Sequence, residues 1–228
     1  MSGRAVARWL ANGLYRASTI GMAKGPHLTR YSMYQRPGRV FASIPLQGKC
    51  LSISHSAELC SVLGIRPAQI VEANYPEYNM LHLPFEDGAF DCVVSDQVLE
   101  HVEGDPRKAI EESIRVTKPG GYVVHTTCLL NPVHNFPADY WRFTPEGLEL
   151  LAKGLGRVVE RGGWGNPWLP LALLFDMRHL PVPEPSWHPV HRLATMNRGA
   201  YACVVWIVLR KETDDRLSAA VLSGRMQS

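Results

Sequence analysis

The stretch from Leu83 to Val102 constrains the fold of this chain more than any other. A polar turn at residues 86–88 precedes a short apolar run, residues 90–95, of the kind expected in a parallel strand that is buried on both faces. Polar side chains follow at once: Asp96, Gln97, Glu100 and His101. Ligands of open α/β sheets bind at the carboxyl ends of the strands. The stretch therefore predicts a strand that delivers these side chains to a binding site.

Three short motifs occur here in order: Leu-Pro-Phe at 83–85, Phe-Asp at 90–91 and Leu-Glu-His-Val at 99–102. This series resembles the class I S-adenosylmethionine-dependent methyltransferases that act on small molecules, and the resemblance covers about residues 48–164. It implies an α/β, Rossmann-like fold with a seven-stranded, mostly parallel sheet and helices on both faces. It also implies S-adenosyl-L-methionine as the cofactor.

Residues 48–58 lie where this family places its first strand and a glycine-rich loop. The family usually has an acid at the position of Ser52 and glycines at those of Ser54, Ser56 and Glu58, because glycine allows positive φ and close approach to the cofactor. Serine is the next smallest polar residue, so the hydroxyls of the three serines are predicted to contact the methionine end of the cofactor. The alternative is that this segment is only a tight strand-to-helix turn.

Further cofactor contacts are predicted beyond the first loop. Glu72 ends a predicted strand about 18 residues after Ser54, near the spacing at which such folds place an acid for the ribose hydroxyls, although a solvated surface glutamate is the alternative. Asn79 and Met80 match positions where the family contacts the adenine. The predicted cofactor-binding residues are Ser52, Ser54, Ser56, Glu72, Asn79, Met80, Asp96, Gln97 and His101.

His101 is the first candidate for a general base if the acceptor is a hydroxyl, because a neutral imidazole titrates near working pH. In the family the matching histidine often only packs against the cofactor, so this alternative stays open. His134 and Asp139 are further candidates, as is His125 at the end of a predicted strand.

Residues 131–145 mix aromatic and ionisable side chains, a composition suited to a polar acceptor. Residues 139–145 resemble a segment of methyltransferases associated with polysaccharide and other surface-glycan synthesis. The acceptor is therefore predicted to be small and polar, with a sugar or glycan precursor as one candidate. The alternative is that the aromatic residues only pack at the start of the next helix.

Charge and cysteine content exclude several other classes. A net charge of +3 without a Lys/Arg-rich run predicts no nucleic-acid partner. The five cysteines are odd in number and contain no Cys-x-x-Cys pair, so neither a disulfide framework nor a metal site is predicted, and a reducing cytoplasm is favoured. No apolar run is long enough for a transmembrane helix, and the start of the chain lacks the apolar core of a secretory signal.

Residues 1–57 contain eight Lys or Arg and no Asp or Glu, and Val6, Trp9, Leu10 and Leu14 share one helical face. This pattern predicts a basic amphipathic helix that packs as a cap, touches a membrane surface, or serves as a transit peptide. Residues 21–38 read as a linker or a lid over the site.

The predicted organisation has four parts: an N-terminal helix and lid segment at 1–40, a methyltransferase-like domain at 41–211, an insertion at 164–198 within it, and a polar tail at 212–228. The insertion is rich in proline and tryptophan, and it is expected to close over the acceptor, face a lipid or form a homodimer contact.

The predicted function is methyl transfer from S-adenosylmethionine to a small polar acceptor. The alternative is a catalytically inactive, methyltransferase-like binding or scaffold module, which the missing glycines favour.

Overall fold

The computed structural model describes residues 3–44, 46–135, 137–175 and 177–213, and a six-stranded sheet forms its centre. The strand order is β3 (Ile70–Ala73), β2 (Cys50–Ile53), β4 (Phe90–Asp96), β5 (Thr117–Cys128), β8 (Val204–Arg210) and β6 (Arg157–Trp164). β3, β2, β4 and β5 are parallel, and β8 runs antiparallel to both β5 and β6. The predicted α/β class is confirmed, and the sheet is mixed, with three parallel and two antiparallel strand pairings.

The strand count differs from the seven that the resemblance implied, because residues 74–89 form only one isolated bridge, between Asn79 and His82, in the described structure. Side chains satisfy the backbone of this segment in place of a neighbouring strand. Glu112 accepts a hydrogen bond from the Leu83 N–H at 2.9 Å, and the Arg115 guanidinium donates to the carbonyls of Leu83 and Phe85. Since these backbone groups are already paired, they do not require a strand ladder.

Two helices on one face of the sheet begin at capping side chains. Asp105 and Thr144 cap α4 (Pro106–Val116) and α5 (Pro145–Ala152), and each side chain accepts a backbone N–H of the first turn. Proline occupies the first helical turn of both, where its missing N–H costs nothing. Caps of this kind are worth about 1 kcal/mol each.

Alternate residues of the strands face opposite sides of the sheet, which gives the core two layers. Val93 and Val123 pack in the layer that contains α4 and α5. Val94 and Val124 pack in the other layer, with α2 (Leu28–Phe41) and α3 (Ala57–Val62). All five cysteines are buried and free.

The N-terminal segment and the insertion fold together. The N-terminal segment contributes α1 (Gly3–Ser18), β1 (Lys24–His27) and α2, and the insertion contributes α6 (Leu169–Leu174), β7 (Pro181–Pro183) and α7 (Pro189–Thr195). β1 pairs antiparallel with β7, and the Ser32 hydroxyl of α2 donates to the carbonyl of Ala194 in α7. We call residues 3–41 together with the described residues of 164–198 the cap.

Residues 21–38 are therefore not a bare linker, since most of them form β1 and α2 of the cap. The predicted division into domains stays a prediction. Of the predicted polar tail, residues 214–228 lie outside the described residues. Within the described ranges, no helix has the length and apolar character needed to cross a membrane.

Candidate active site

A cavity of about 550 Å³ lies between the carboxyl ends of the central strands and the cap. The sheet side contributes residues that follow β2 and β4, and the cap contributes residues from α2 and from the segment before β7. Residues on its sheet side include Ser54, His55, Asn79, Met80, Asp96, Gln97, His101 and His134. Its cap side includes His27, Thr29, Arg30, Arg178 and His179.

Three residues on this lining have left-handed backbone conformations. The φ angles of Ser54, His55 and Gln97 are 52°, 63° and 57°. Non-glycine residues pay about 1–2 kcal/mol for this conformation, and such strain clusters at functional sites. The turn that the resemblance places in the glycine-rich loop thus has the backbone geometry that glycine would favour, with Ser54 in its place.

Only one of the three predicted cofactor-binding serines lies on the cavity. Ser52 and Ser56 are buried, and the Ser52 hydroxyl donates to Glu72 at 3.1 Å. The Ser56 hydroxyl donates to the Ile53 carbonyl and accepts the N–H of Asp96 at 2.7 Å. The three hydroxyls therefore do not share one face, because the extended conformation ends at Ser54.

Glu72 lies exposed near the carboxyl end of β3 and is not on the cavity lining. Its partner Ser52 orients the carboxylate at the strand end. Asn79 and Met80 do line the cavity, and the Asn79 side-chain oxygen accepts the N–H of Leu81 at 2.9 Å.

Asp96 lies on the lining, but protein donors already occupy both of its carboxylate oxygens. Oδ2 accepts from Arg30 Nε at 2.9 Å and from the Tyr34 hydroxyl at 2.7 Å, and Oδ1 accepts from the Thr126 hydroxyl. Burial disfavours the charge of Arg30, yet Asp96 keeps the pKa of that guanidinium above its ordinary value. Asp96 therefore fastens the cap to the sheet, a role that its position at the end of β4 did not reveal.

Arg30 and Tyr34 were missed in the sequence. They are four residues apart and face the sheet from the same side of α2, as helical spacing requires. That spacing was the available signal, but the prolines and glycines of residues 21–38 pointed to a linker.

Two polar atoms on the lining are buried without a hydrogen-bond partner in the described residues. They are the Gln97 amide nitrogen and the Asn131 amide oxygen. A buried donor or acceptor without a partner costs about 1–3 kcal/mol. Both atoms are therefore suited to a ligand that supplies the missing partner.

His101 and His134 pack edge to face on the cavity wall, with ring centroids 5.0 Å apart. Nδ1 of His101 contacts the carbonyl of Ala138, and Nδ1 of His134 lies 3.1 Å from the carbonyl of Pro132. Because a carbonyl oxygen only accepts, Nδ1 of each ring carries the proton, and Nε2 of each ring keeps its lone pair. Burial lowers the pKa of His134, which keeps this ring neutral near pH 7.

Asp139 has a fully buried side chain and does not line the cavity. The Arg142 guanidinium holds the pKa of this carboxyl well below its usual range, and Asp139 also lies 3.2 Å from Nδ1 of His134. A carboxylate this weakly basic is a poor proton acceptor. Its contacts suit it to orienting His134.

His125 is completely buried, away from the cavity lining, with Nδ1 2.7 Å from the Ser95 hydroxyl. Burial lowers its pKa to about 3. It is therefore placed as a core histidine.

Glu100, His101 and His134 present ligand atoms that all lie within 4.8 Å of one another, so this group could hold a metal ion. Burial raises the pKa of Glu100, and the positive charge of Arg30 acts on the same carboxyl. A neighbouring guanidinium disfavours a second cation at this position.

Part of the chain is similar in sequence to known methyltransferases. Residues 38–125 match the family model described as a methyltransferase domain. An uncharacterized methyltransferase of Schizosaccharomyces pombe is 30% identical over 137 residues, which cover 55% of this chain and 47% of that protein. Norajmaline N-methyltransferase of Rauvolfia serpentina is 37% identical over 81 residues, which cover 35% of this chain and 27% of that protein.

One similar solved structure is phosphoethanolamine N-methyltransferase 2 of Haemonchus contortus in complex with S-adenosyl-L-methionine. The TM-score is 0.49 and the sequence identity is 15%. The match covers 80% of this chain and 53% of that protein chain. The chain spans less than half the length of the two curated relatives described above. The family match, the motif series and the sheet order together identify residues 38–125 as part of a class I S-adenosylmethionine-dependent methyltransferase domain.

Proposed function

We propose that this protein transfers a methyl group from S-adenosylmethionine to a small polar acceptor. The proposal rests on Ser54 and Gln97, which line one cavity at the carboxyl ends of β2 and β4 and have left-handed backbone conformations. The side-chain amide nitrogen of Gln97 is buried and has no hydrogen-bond partner in the described part of the chain. Strained backbone and an unsatisfied donor at this sheet edge are expected where a ligand supplies compensating contacts.

The residues that would hold the cofactor lie along this edge. Ser54 and Gln97 border the central strands, Asn79 and Met80 line one wall, and Glu72 lies at the neighbouring strand end. The bound cofactor would supply an electrophilic methyl group. The protein would mainly contribute the position and alignment of the acceptor.

The two histidines would accept the proton that the acceptor loses. Nε2 of His101 or His134 would take it, since Nδ1 of each ring is held by a carbonyl oxygen. Asp139 would keep the His134 ring in this tautomer through its contact with Nδ1.

A sugar or glycan precursor is the acceptor we favour. The resemblance of residues 139–145 supports it, as does Tyr140, whose exposed ring lies on the cavity. The neighbouring Trp141 is anchored by its indole N–H to the carbonyl of Val102 at 2.9 Å, which fixes the segment beside the site.

The second candidate is an inactive binding or scaffold module. Serines and a glutamate stand where the family has glycines, and the Ser56 hydroxyl is used inside the protein. An inactive module would keep the fold without cofactor affinity.

Calorimetric titration with S-adenosylmethionine and S-adenosylhomocysteine separates the two candidates. An enzyme should bind both compounds, and Gln97→Ala should weaken binding by about 10-fold, as expected for one lost hydrogen bond. Gln47→Ala, which changes an exposed glutamine away from the cavity, should bind as the wild type does. Absence of binding by the folded wild type would favour the inactive module.

We also propose a peripheral contact between α1 and an anionic membrane. Trp9 and Leu14 are 69% and 74% exposed, and Leu10 is exposed between them. The helix contains no acidic residue, and Arg8 and Arg16 add positive charge. An exposed apolar stripe on a basic helix suits an interface with anionic lipid, and a second copy of the chain is the competing occupant.

A further inference from the structure

The cap side of the cavity is lined by positively charged and imidazole side chains. Arg30 comes from α2, and Arg178 comes from the segment between α6 and β7. His27 and His179 lie on the same side, with ring centroids 5.4 Å apart. Two parts of the chain separated by more than a hundred residues thus contribute basic groups to one wall.

Arg178 is half-buried and forms no ion pair among the residues that the structure describes. Placing a charge at a partly buried site without a counter-charge is unfavourable. A guanidinium in such a position is suited to bind an anionic ligand, because its planar fork matches the oxygens of a carboxylate or phosphate.

Arg30 is only partly used by the protein. Its Nε donates to Asp96, while no described residue accepts a hydrogen bond from its two terminal nitrogens. The side chain is 17% exposed and lies on the cavity. Its remaining donors are therefore free to point at a ligand while Asp96 holds the group in place.

Asp96 neutralises Arg30 through their 2.9 Å ion pair and also accepts hydrogen bonds from Tyr34 and Thr126. The net positive charge of the cap wall therefore comes from Arg178, which pairs with no carboxylate among the described residues. Glu103 is exposed beside Tyr140. Burial lowers the pKa of His27 to about 4, and the positive charges of Arg30 and His179 act in the same direction.

We propose that the acceptor carries an anionic group, a carboxylate or a phosphate, which binds between Arg30 and Arg178 on the cap wall. This inference rests on the proposed methyl transfer and adds the charge of the acceptor to it. The anionic group would hold the acceptor by one end, which leaves its nucleophilic atom to approach His101 and His134. An acidic or phosphorylated sugar meets both requirements.

The test titrates inorganic phosphate and acetate into the protein saturated with S-adenosylhomocysteine, with sodium chloride of equal ionic strength as the reference. Arg178→Ala should weaken binding of the preferred anion by about 10- to 100-fold, the loss expected for a charge-assisted contact. The anion affinity of Arg178→Lys should lie between those of the wild type and Arg178→Ala, because lysine keeps the positive charge but lacks the planar guanidinium that binds two oxygens at once. The control Arg198→Ala, at an exposed arginine off the cavity lining, should leave binding unchanged.

Tighter binding of phosphate identifies a phosphorylated acceptor class, and tighter binding of acetate identifies a carboxylate. The inference is overturned if neither anion binds more tightly than chloride, or if Arg178→Ala binds the anion as the wild type does. S-adenosylhomocysteine affinity is measured on the same samples. If anion binding fails while S-adenosylhomocysteine still binds, only the anionic-acceptor inference is rejected. If the folded wild type does not bind S-adenosylhomocysteine, the proposed function is rejected.

Discussion

Nε of Arg30 lies 2.9 Å from Oδ2 of Asp96, and this contact joins α2 of the cap to the carboxyl end of the central strand β4. The two side chains are 17% and 11% exposed. Asp96→Ala should therefore lower the free energy of unfolding by about 3–5 kcal/mol, because it leaves the guanidinium buried without its counter-charge. Urea unfolding measures this loss.

Two variants control the prediction for Asp96. Tyr34→Phe removes one hydrogen bond to the same carboxylate and should cost less, about 1–3 kcal/mol. The side chain of Asp87, an ion-pair partner of Arg115, is 79% exposed. Asp87→Ala should therefore change the free energy of unfolding little. If Asp96→Ala costs no more than Asp87→Ala, the contact does not fasten the cap.

Glu72→Ala should weaken binding of S-adenosylmethionine by roughly 1.5–3 kcal/mol, the usual worth of hydrogen bonds to a charged group, and should leave folding nearly intact. Its carboxylate is exposed at the end of β3, so little packing is lost. Calorimetry on Glu72→Ala and on Glu77→Ala, at an exposed glutamate off the lining, checks this. Equal affinities in the two folded variants would remove Glu72 from the site.

Ser54→Gly and Ser56→Gly should act in different ways, although both restore the residue that the family pattern has. Ser54 has a φ of 52°, so glycine relieves strain there, and stability should stay within about 1 kcal/mol of the wild type. If the Ser54 hydroxyl is a ligand, affinity for S-adenosylhomocysteine should fall. A rise in affinity would instead identify the loop as an eroded glycine loop.

Ser56→Gly should mainly destabilise the fold. It removes the acceptor of the Asp96 N–H and the donor to Ile53, which should cost about 1–3 kcal/mol. Thermal unfolding compared with Ser54→Gly tests this. A Ser56→Gly variant as stable as Ser54→Gly would show that the buried hydroxyl contributes little.

Stability should fall as the pH decreases from about 6.5 towards 3, in part because of His125. Its pKa is lowered from 6.5 to about 3 by burial, so the unfolded chain binds a proton that the folded protein excludes. The contribution of neutral His125 to the free energy of unfolding is fully present above pH 6.5, and about 4 kcal/mol of it is lost by pH 3. Urea unfolding between pH 4 and 7 should show that the free energy of unfolding depends less steeply on pH in His125→Gln than in the wild type. An unchanged pH dependence would contradict the role given to His125.

Binding to vesicles that contain anionic lipid should depend on α1 and weaken with salt, since both apolar burial and charge contribute. Co-sedimentation should decrease for the double variant Trp9→Ser and Leu10→Ser. Val133→Ser, at an exposed valine outside the cap, is the control. Retention in the supernatant at low salt would reject the membrane proposal, and gel filtration would then test whether a second copy covers the helix.

The local elements were predictable because their signals lie within a few residues. The apolar run at 90–95 predicted β4, and the polar residues that follow it predicted a binding site at its carboxyl end. The motif series also predicted the methyltransferase domain. The missing seventh strand was not predictable locally, since Glu112 and Arg115 of a later helix pair with the backbone that would have formed it.

The sequence by itself determined the α/β class and which strand ends carry polar groups, because both follow from short-range periodicity and from order along the chain. Only the tertiary structure decided the wall of the cavity. Arg30 and Asp96 are 66 residues apart, and Arg178 reaches the same space from the insertion. Such contacts depend on how β1 pairs with β7 and on the direction in which each side chain leaves its element. Neither can be predicted from the spacing of residues along the sequence.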